Sequence, residues 1–214
     1  MGKPIGVLGS GPVARVLAAG FRSKGYDVRI GSRDARTLAE FSAKTGVPAT
    51  TFSDAAAFGE IVVLAVKGSA ALDVLRSIGA PALEGKIVID TTNPIADAPP
   101  VQGVLRFFTG PNESLMERLQ SGFPKTRFVK AWNSVGNAHM VDPDFPGGKP
   151  TMFFCGNDEA ARNEVARILE EFGWEAEDVG RVESARALEP LCQLWCAPGF
   201  LRNRWDHAFK LLKR

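Results

Sequence analysis

The chain has 214 residues, 45% of them hydrophobic and 23% charged, with 26 basic against 24 acidic side chains and a formal net charge of +2. That length predicts one domain able to bury a core without disulfides or metal, and the near-average composition excludes disorder, collagen and coiled coil. Near neutrality leaves no global field for nucleic acid or membrane, so any basic ligand site must be local.

Ile5-Gly6-Val7-Leu8 is a short apolar run of the kind that forms a buried parallel strand. Val13, Val16, Leu17 and Gly20 then recur at helical spacing, and Gly25 closes the helix. Val28-Arg29-Ile30 is a second strand, followed by a helix from Asp34 to about Lys44 that carries Leu38 and Phe41. A weak strand at Ala49-Thr50-Thr51 precedes Ser53-Asp54, read as the N-cap of an alanine-rich turn. Ile61 to Val66 is β-branched and apolar on both faces, as a central strand should be, and Leu72, Leu75 and Ile78 mark the next helix. Lys86–Asp90 and Arg127–Ala131 are further strands, with a helix near Ser114 to Ser121 between them. Thr151–Cys155 is another, after which Asn157 is expected to cap a helix bearing Val165, Ile168, Leu169 and Phe172 and stopped by Gly173.

Strands alternating with helices predict an α/β fold: a Rossmann-type, doubly wound, mostly parallel sheet over residues 1–183. Residues 184–214 read as a C-terminal helical tail, not an independent domain, with Pro190 and Pro198-Gly199 as kinks or a break. Leu201, Trp205, Phe209 and Leu212 share one face of that tail and Arg202, Arg204, Lys210, Lys213 and Arg214 make the rest basic. The stripe predicts a homodimer contact, with packing onto the chain's own sheet as the alternative; stable membrane association is not expected. Residues 93–112 and 133–150 are Pro-, Gly- and Asn-rich loops that each follow a strand, where open α/β sheets place their ligand crevice.

Three cysteines are too few for a secreted framework, and two histidines do not make a conventional zinc site, so no metal is expected. Cys192 and Cys196 read as buried helix cysteines. The longest apolar run is far short of a membrane span. With a strand expected from Pro4 there is no room for a signal peptide, and no Ser or Thr completes a myristoylation site after Gly2. These features predict a cytoplasmic protein.

Gly9-Ser10-Gly11-Pro12-Val13-Ala14 is a G-x-G-x-x-A turn between a predicted strand and a predicted helix. Gly9 permits the tight turn, Gly11 lets a pyrophosphate approach the backbone, and Ala14 allows close helix–sheet packing. Pro12 suits the first helical position, and the helix N-terminus offers free N–H groups to phosphate. After the second strand, where an acidic residue would accept from ribose hydroxyls, the chain has Gly31-Ser32-Arg33. Ser32 can donate to a 2′-phosphate and Arg33 can clamp it, with Arg36 one turn on as a second charge. Asp34 is read as a helix N-cap, and NADP is favoured over NAD.

These motifs, with Asp90-Thr91-Thr92-Asn93-Pro94 and Lys130-Ala131-Trp132-Asn133 in this order, resemble the small NADP-dependent reductases of coenzyme F-420. The chain is similar as well to the cytosolic part of the six-transmembrane ferric reductases. The resemblance spans nearly the whole chain. It implies that Val66 and Lys67 flank NADP(H), that Thr92, Asn93 and Pro94 line it, and that Ala131 to Ser134 approach the nicotinamide. Deazaflavin-reducing members tend to carry histidine where this chain has Asn133; His139 is either its substitute or a solvated loop residue. The implied reaction passes hydride between NADPH and a small-molecule acceptor, a flavin or coenzyme F-420.

Hydride transfer between stacked rings needs no protein nucleophile; positioning alone lowers such barriers by roughly 7–11 kcal/mol. Asn133 and Ser134 are therefore expected to orient and not to act as acids or bases. Phe107, Phe108, Trp132 and Phe145 are expected either to wall the acceptor pocket or to join the core. Two other functions fit the front half of the chain: an NADP(H)-binding sensor without turnover, and an imine or hydroxy-acid reductase, for whose helical substrate domain the tail leaves little chain.

Overall fold

Successive residues of a strand point to opposite faces, and in the central strands both faces are apolar. Ile61 and Val63 enter one core with Leu17, Phe21, Val165 and Ile168, while Val62 and Leu64 enter the other with Ala55, Val74, Leu75 and Leu119. The computed structural model describes residues 2–214. Its eight strands are β1 (Ile5–Leu8), β2 (Val28–Ser32), β3 (Ala49–Thr51), β4 (Ile61–Leu64), β5 (Ile87–Asp90), β6 (Arg127–Lys130), β7 (Thr151–Gly156) and β8 (Glu175–Asp178), in the spatial order β3-β2-β1-β4-β5-β6-β7-β8. The helices are α1 (Pro12–Ser23), α2 (Ala39–Thr45), α3 (Phe52–Phe58), α4 (Gly68–Ile78), α5 (Ala80–Leu83), α6 (Leu115–Gly122), α7 (Glu159–Glu171) and α8 (Ala185–Arg202). Helices α1 and α7 cover one face of the sheet; α3, α4 and α6 cover the other. This is the doubly wound Rossmann-type arrangement.

β1 to β6 are parallel, so the loops after β1, β4, β5 and β6 leave from one edge. β7 runs antiparallel to β6, pairing Lys130 with Cys155 and Val129 with Gly156. An antiparallel neighbour needs no crossover helix, so residues 131–150 stay at that same edge. β8 pairs parallel with β7 and escaped the sequence reading, because Glu-Ala-Glu-Asp is an edge strand with little apolar signal. Local details also differ. Thr51, not Ser53, caps α3, and Asp158 caps α7 while Asn157 Oδ1 accepts from the Val182 N–H. The segment after Asp34 divides into a 3-10 turn, Ala35–Leu38, and α2.

The tail is helical only as far as Arg202. α8 carries both Pro190 and Pro198 and stops at Asn203, whose φ of 52° is left-handed. Beyond it the chain turns back. Trp205 lies against Gly199 and 5.7 Å, ring to ring, from Trp195. The Phe209 carbonyl then accepts from the Thr151 N–H at 2.8 Å. The expected helical stripe of Leu201, Trp205, Phe209 and Leu212 therefore does not form, because backbone pairing at the start of β7 replaces the last turns of helix. Among the described residues no helix is long and apolar enough to cross a membrane.

Candidate dinucleotide-binding site

The sheet's order reverses between β1 and β4, the switch point at which open α/β sheets bind ligands. Gly9 follows β1 with φ +145°, and a Cβ there would lie 2.2 Å from the Ala65 carbonyl oxygen, so the turn admits only glycine. Gly11 is the N-cap of α1 and supplies no side-chain cap, and no acid occupies the helix's first turn. A Cβ on Gly11 would meet no protein atom within 4 Å. The first-turn N–H groups are thus left to an outside acceptor, and the backbone beside them is open to one. Arg15 steadies the turn, donating from Nε to the Ser10 carbonyl at 2.9 Å and from Nη2 to the Thr37 carbonyl at 3.0 Å.

Gly9, Ser10 and Gly11 form one wall of a cleft of about 950 Å³ whose other walls include Ser32, Arg33, Val66 and Lys67. Seven predicted site residues thus meet in one space. Pro12 and Val13 are the first residues of α1, next to Gly11. Ser32 is buried, its hydroxyl donating to the Asp34 carbonyl at 2.7 Å, whereas Arg33 is exposed. Arg36 stands apart from the cleft wall. Its guanidinium grips Asp34 in a fork, Nε to Oδ1 at 2.9 Å and Nη2 to Oδ2 at 2.8 Å, and its side chain is 90% exposed. That guanidinium, with the Arg36 backbone N–H, holds the Asp34 carboxyl below its usual pKa. Asp34 caps the 3-10 turn, as its place in the sequence indicated.

The cleft also has walls that the sequence reading missed. Phe52 opens α3, and Ala70, Asp73, Val74 and Ser77 come from α4. Their spacing of three, four and seven was visible, but a helix face that borders a ligand reads in sequence like one that borders protein.

Thr92, Asn93, Pro94, Ala131, Asn133 and Ser134 form a second group at the ends of β5 and β6. Asn93 Nδ2 donates to the Asn133 carbonyl at 2.7 Å, and Asn133 Nδ2 donates to Asn93 Oδ1 at 3.1 Å and to the Leu188 carbonyl at 2.8 Å. Asn133 Oδ1 is buried with no partner among the described residues. The Ala131 N–H binds the Asp90 carbonyl and the Pro94 carbonyl holds Phe108 N–H. A Cβ on Gly68, at the start of α4, would lie 1.9 Å from the Asn93 carbonyl, so this group abuts the loop of Lys67 directly. Of the aromatics, Trp132 is fully buried against Phe21 and Phe172 and belongs to the core. Phe145 packs on His139, which itself contacts Asp206 at 2.9 Å. Phe107 lines a separate hollow beside α8, and Phe108 lies under Arg118.

The doubly wound sheet and an uncapped glycine turn at its switch point define a Rossmann-type oxidoreductase. Residues 4–94 match the family described as NADP oxidoreductase, coenzyme F420-dependent. A candidate F420-dependent NADP reductase from Arthrobacter sp. FB24 superimposes with a TM-score of 0.93 and 32% identity, covering 99% of this chain and 100% of that one. The chain belongs to this family of NADP-dependent oxidoreductases. F420-dependent NADP reductase of Methanothermobacter thermautotrophicus is 29% identical over 213 residues, 94% of this chain and 90% of that protein. Metalloreductase STEAP3 of Rattus norvegicus is 30% identical over 188 residues, which is 87% of this chain but 36% of the metalloreductase. The chain therefore spans little more than a third of that relative.

Proposed function

We propose that this chain is a reductase that takes NADPH in the 950 Å³ cleft and passes its hydride to a planar flavin or deazaflavin acceptor. One observation carries the cofactor half: the uncapped turn at Gly11 and the exposed Arg33 face the same cleft. The α1 N-terminus would hold the pyrophosphate, and Arg33 would clamp the 2′-phosphate. The carboxylate nearest to that clamp, Asp34, is already neutralised by Arg36. When bound, NADPH supplies the hydride. The chain's own part is then to bind, orient and exclude water, and the hydrogen-bonded Asn93–Asn133 pair is suited to orient, since an amide side chain does not exchange a proton near neutral pH.

The acceptor is argued from likeness to F420-dependent and metal-reducing relatives. Asn133 Nδ2 is engaged by Asn93 and the Leu188 carbonyl, so the residue standing at the family's histidine position ties the loops together and has only its Oδ1 left unpaired among the described residues. NADPH oxidation assayed in parallel against FMN, FAD, coenzyme F-420 and ferric citrate tests the proposal. Turnover with one of the ring acceptors is the expected result. NADPH binding with no turnover on any of them would assign a sensor instead.

A further inference from the structure

A dinucleotide with its 2′-phosphate at the end of β2 and its pyrophosphate at the end of β1 must carry its other end toward β4, β5 and β6. Residues 91–94 and 131–134, which follow β5 and β6, leave the sheet at that edge. We infer that Glu189 on α8 is a positioning residue for the nicotinamide end of the site, acting through Lys130 on the loop after β5, while the neighbouring Leu188 carbonyl acts through Asn133 on the loop after β6. The inference rests on the reductase reading above and deepens it.

Three charges lie fully inside the protein at this place. Lys130 Nζ stands 2.8 Å from Asp90 Oδ2 and 3.0 Å from Glu189 Oε1, and donates to the Thr92 carbonyl at 2.6 Å. Asp90 and Lys130 are 0% exposed and Glu189 is 1% exposed. Asp90 Oδ1 accepts from both the N–H and the hydroxyl of Thr92, at 2.9 and 2.6 Å. Glu189 accepts from the Leu115 and Met116 N–H groups at the start of α6, at 2.9 and 3.0 Å. Each ion taken out of water loses most of its solvation, and an apolar cluster of equal volume commonly folds as well or better. The triad is therefore a poor stabiliser for its size. What it does fix is the Thr92 backbone, gripped from both sides.

The second arm is one residue away. The Leu188 carbonyl accepts from Asn133 Nδ2 at 2.8 Å, and Asn133 is paired with Asn93. Between the two arms Trp132 adopts φ 56°, left-handed for a bulky residue. Such a conformation is strained and persists only where the surroundings over-determine it. The network leaves over one acceptor that the described residues do not use, Oδ1 of Asn133, a residue only 4% exposed. Two consecutive residues of α8 thus set the two loops that meet the far end of the cofactor.

The test compares the two ends of the ligand in the full chain. Binding of 2′,5′-ADP reads the phosphate end alone, and the emission of bound NADPH reads the surroundings of its dihydronicotinamide ring. In Glu189→Gln, 2′,5′-ADP affinity should stay within about twofold of the parent. The NADPH emission should move toward that of free cofactor, and kcat with the best acceptor should fall about tenfold or more, with Glu189→Asp recovering part of it. A triple variant, Asp90→Asn with Lys130→Met and Glu189→Leu, removes every charge of the cluster and guards against a misfolded single variant. It should bind 2′,5′-ADP like the parent and show the same altered emission. Parent-like NADPH emission and kcat in either folded variant, or equal losses at both ends, would overturn the inference. A parent that binds neither NADPH nor 2′,5′-ADP would overturn the reductase reading itself, and this inference with it.

Discussion

Asn93 and Asn133, each on the loop beyond a neighbouring strand, hold one another by a pair of hydrogen bonds, from Asn93 Nδ2 to the Asn133 carbonyl at 2.7 Å and from Asn133 Nδ2 to Asn93 Oδ1 at 3.1 Å. The pair closes a gap that no sheet hydrogen bond spans. In Asn93→Ala both contacts go, leaving the Asn133 carbonyl without that donor, at a cost of about 1–3 kcal/mol. Urea unfolding checks this: the midpoint should fall with the slope unchanged, and an unmoved midpoint would deny the pair any structural weight.

The two glycines of the turn should separate folding from binding. A Cβ at Gly9 would press on the Ala65 carbonyl from 2.2 Å at a φ of +145°, so Gly9→Ala should lose about 2–3 kcal/mol of stability or more. Gly11 has φ −76°, and its Cβ would meet no protein atom within 4 Å. Ala is a poorer N-cap than Gly, which offsets the entropy it saves in the unfolded chain, so Gly11→Ala should move stability by no more than about 1 kcal/mol. Its methyl would nevertheless stand where a pyrophosphate approaches, weakening NADPH by about tenfold or more. Melting curves and NADPH titration on both variants check the contrast; equal effects at the two positions would contradict it.

Arg33 and Arg36 should behave differently despite their closeness. Arg33→Ala removes a charged contact worth roughly 1.5–3 kcal/mol, about tenfold or more in NADPH affinity, and should leave NADH affinity unchanged. Arg36 is bound to Asp34 in a fork, and Asp34 lines the cleft. Arg36→Ala would bare that carboxylate toward the 2′-phosphate and weaken NADPH by a smaller factor, roughly two- to fivefold. Adding Asp34→Asn should then restore most of the loss. Calorimetric titration of the two single variants and the double variant measures this coupling; additive losses would show that Arg36 touches the ligand itself.

Where folding was governed by local pattern, the sequence was readable. Ile61 to Leu64 had to be a central strand, since both of its faces are apolar, and Gly9 to Ala14 carried the turn's requirements in glycine positions alone. Legibility failed where partners lie far apart in the chain. Glu189 sits between Leu188 and Pro190 in an apolar stretch of helix, and only the fold brings it to Lys130 and α6. Arg36 reads in sequence as a second charge one turn from Arg33; that its guanidinium is taken up by Asp34 shows only in the fold. The tail departs from its pattern for another reason. Its helical spacing continues to Leu212, but pairing of Phe209 with Thr151 outweighs the helix that spacing would allow.

Acid should weaken the hold between α6 and α8. The Arg186 guanidinium, donating from Nε to Glu117 Oε2 at 3.0 Å, is the main cause that lowers the Glu117 pKa beneath its ordinary 4.5, with the Ser114 hydroxyl adding to it. A carboxylate whose pKa is lowered by folding contributes stability above the unfolded value, and that contribution disappears as pH falls through the folded value. Parent and Glu117→Gln should thus differ most near neutrality and converge in acid below the ordinary carboxylate value of 4.5. Urea midpoints taken across that range measure the difference; a gap that stays constant with pH would mean that the charge of Glu117 is not what matters.

Trp205 fastens the segment that follows α8. Its ring lies on Gly199, where a Cβ would come within 2.3 Å of it, meets Phe200 edge-on at 5.2 Å, and donates from Nε1 to Asn203 Oδ1 at 3.1 Å. Being 37% exposed, it should cost less to remove than a core tryptophan, about 1–2 kcal/mol in Trp205→Ala. Because the residues after Asn203 have no helix of their own, that loss should appear locally, as opening of the tail ahead of global unfolding. Arg202 and Arg204 flank the hinge, so limited trypsin digestion should cut Trp205→Ala faster than the parent while the melting temperature moves little. Gly199→Ala, which displaces the same ring from the other side, should reproduce the effect. Digestion at the parent rate in both variants would show that the Phe209–Thr151 pairing holds the tail without Trp205.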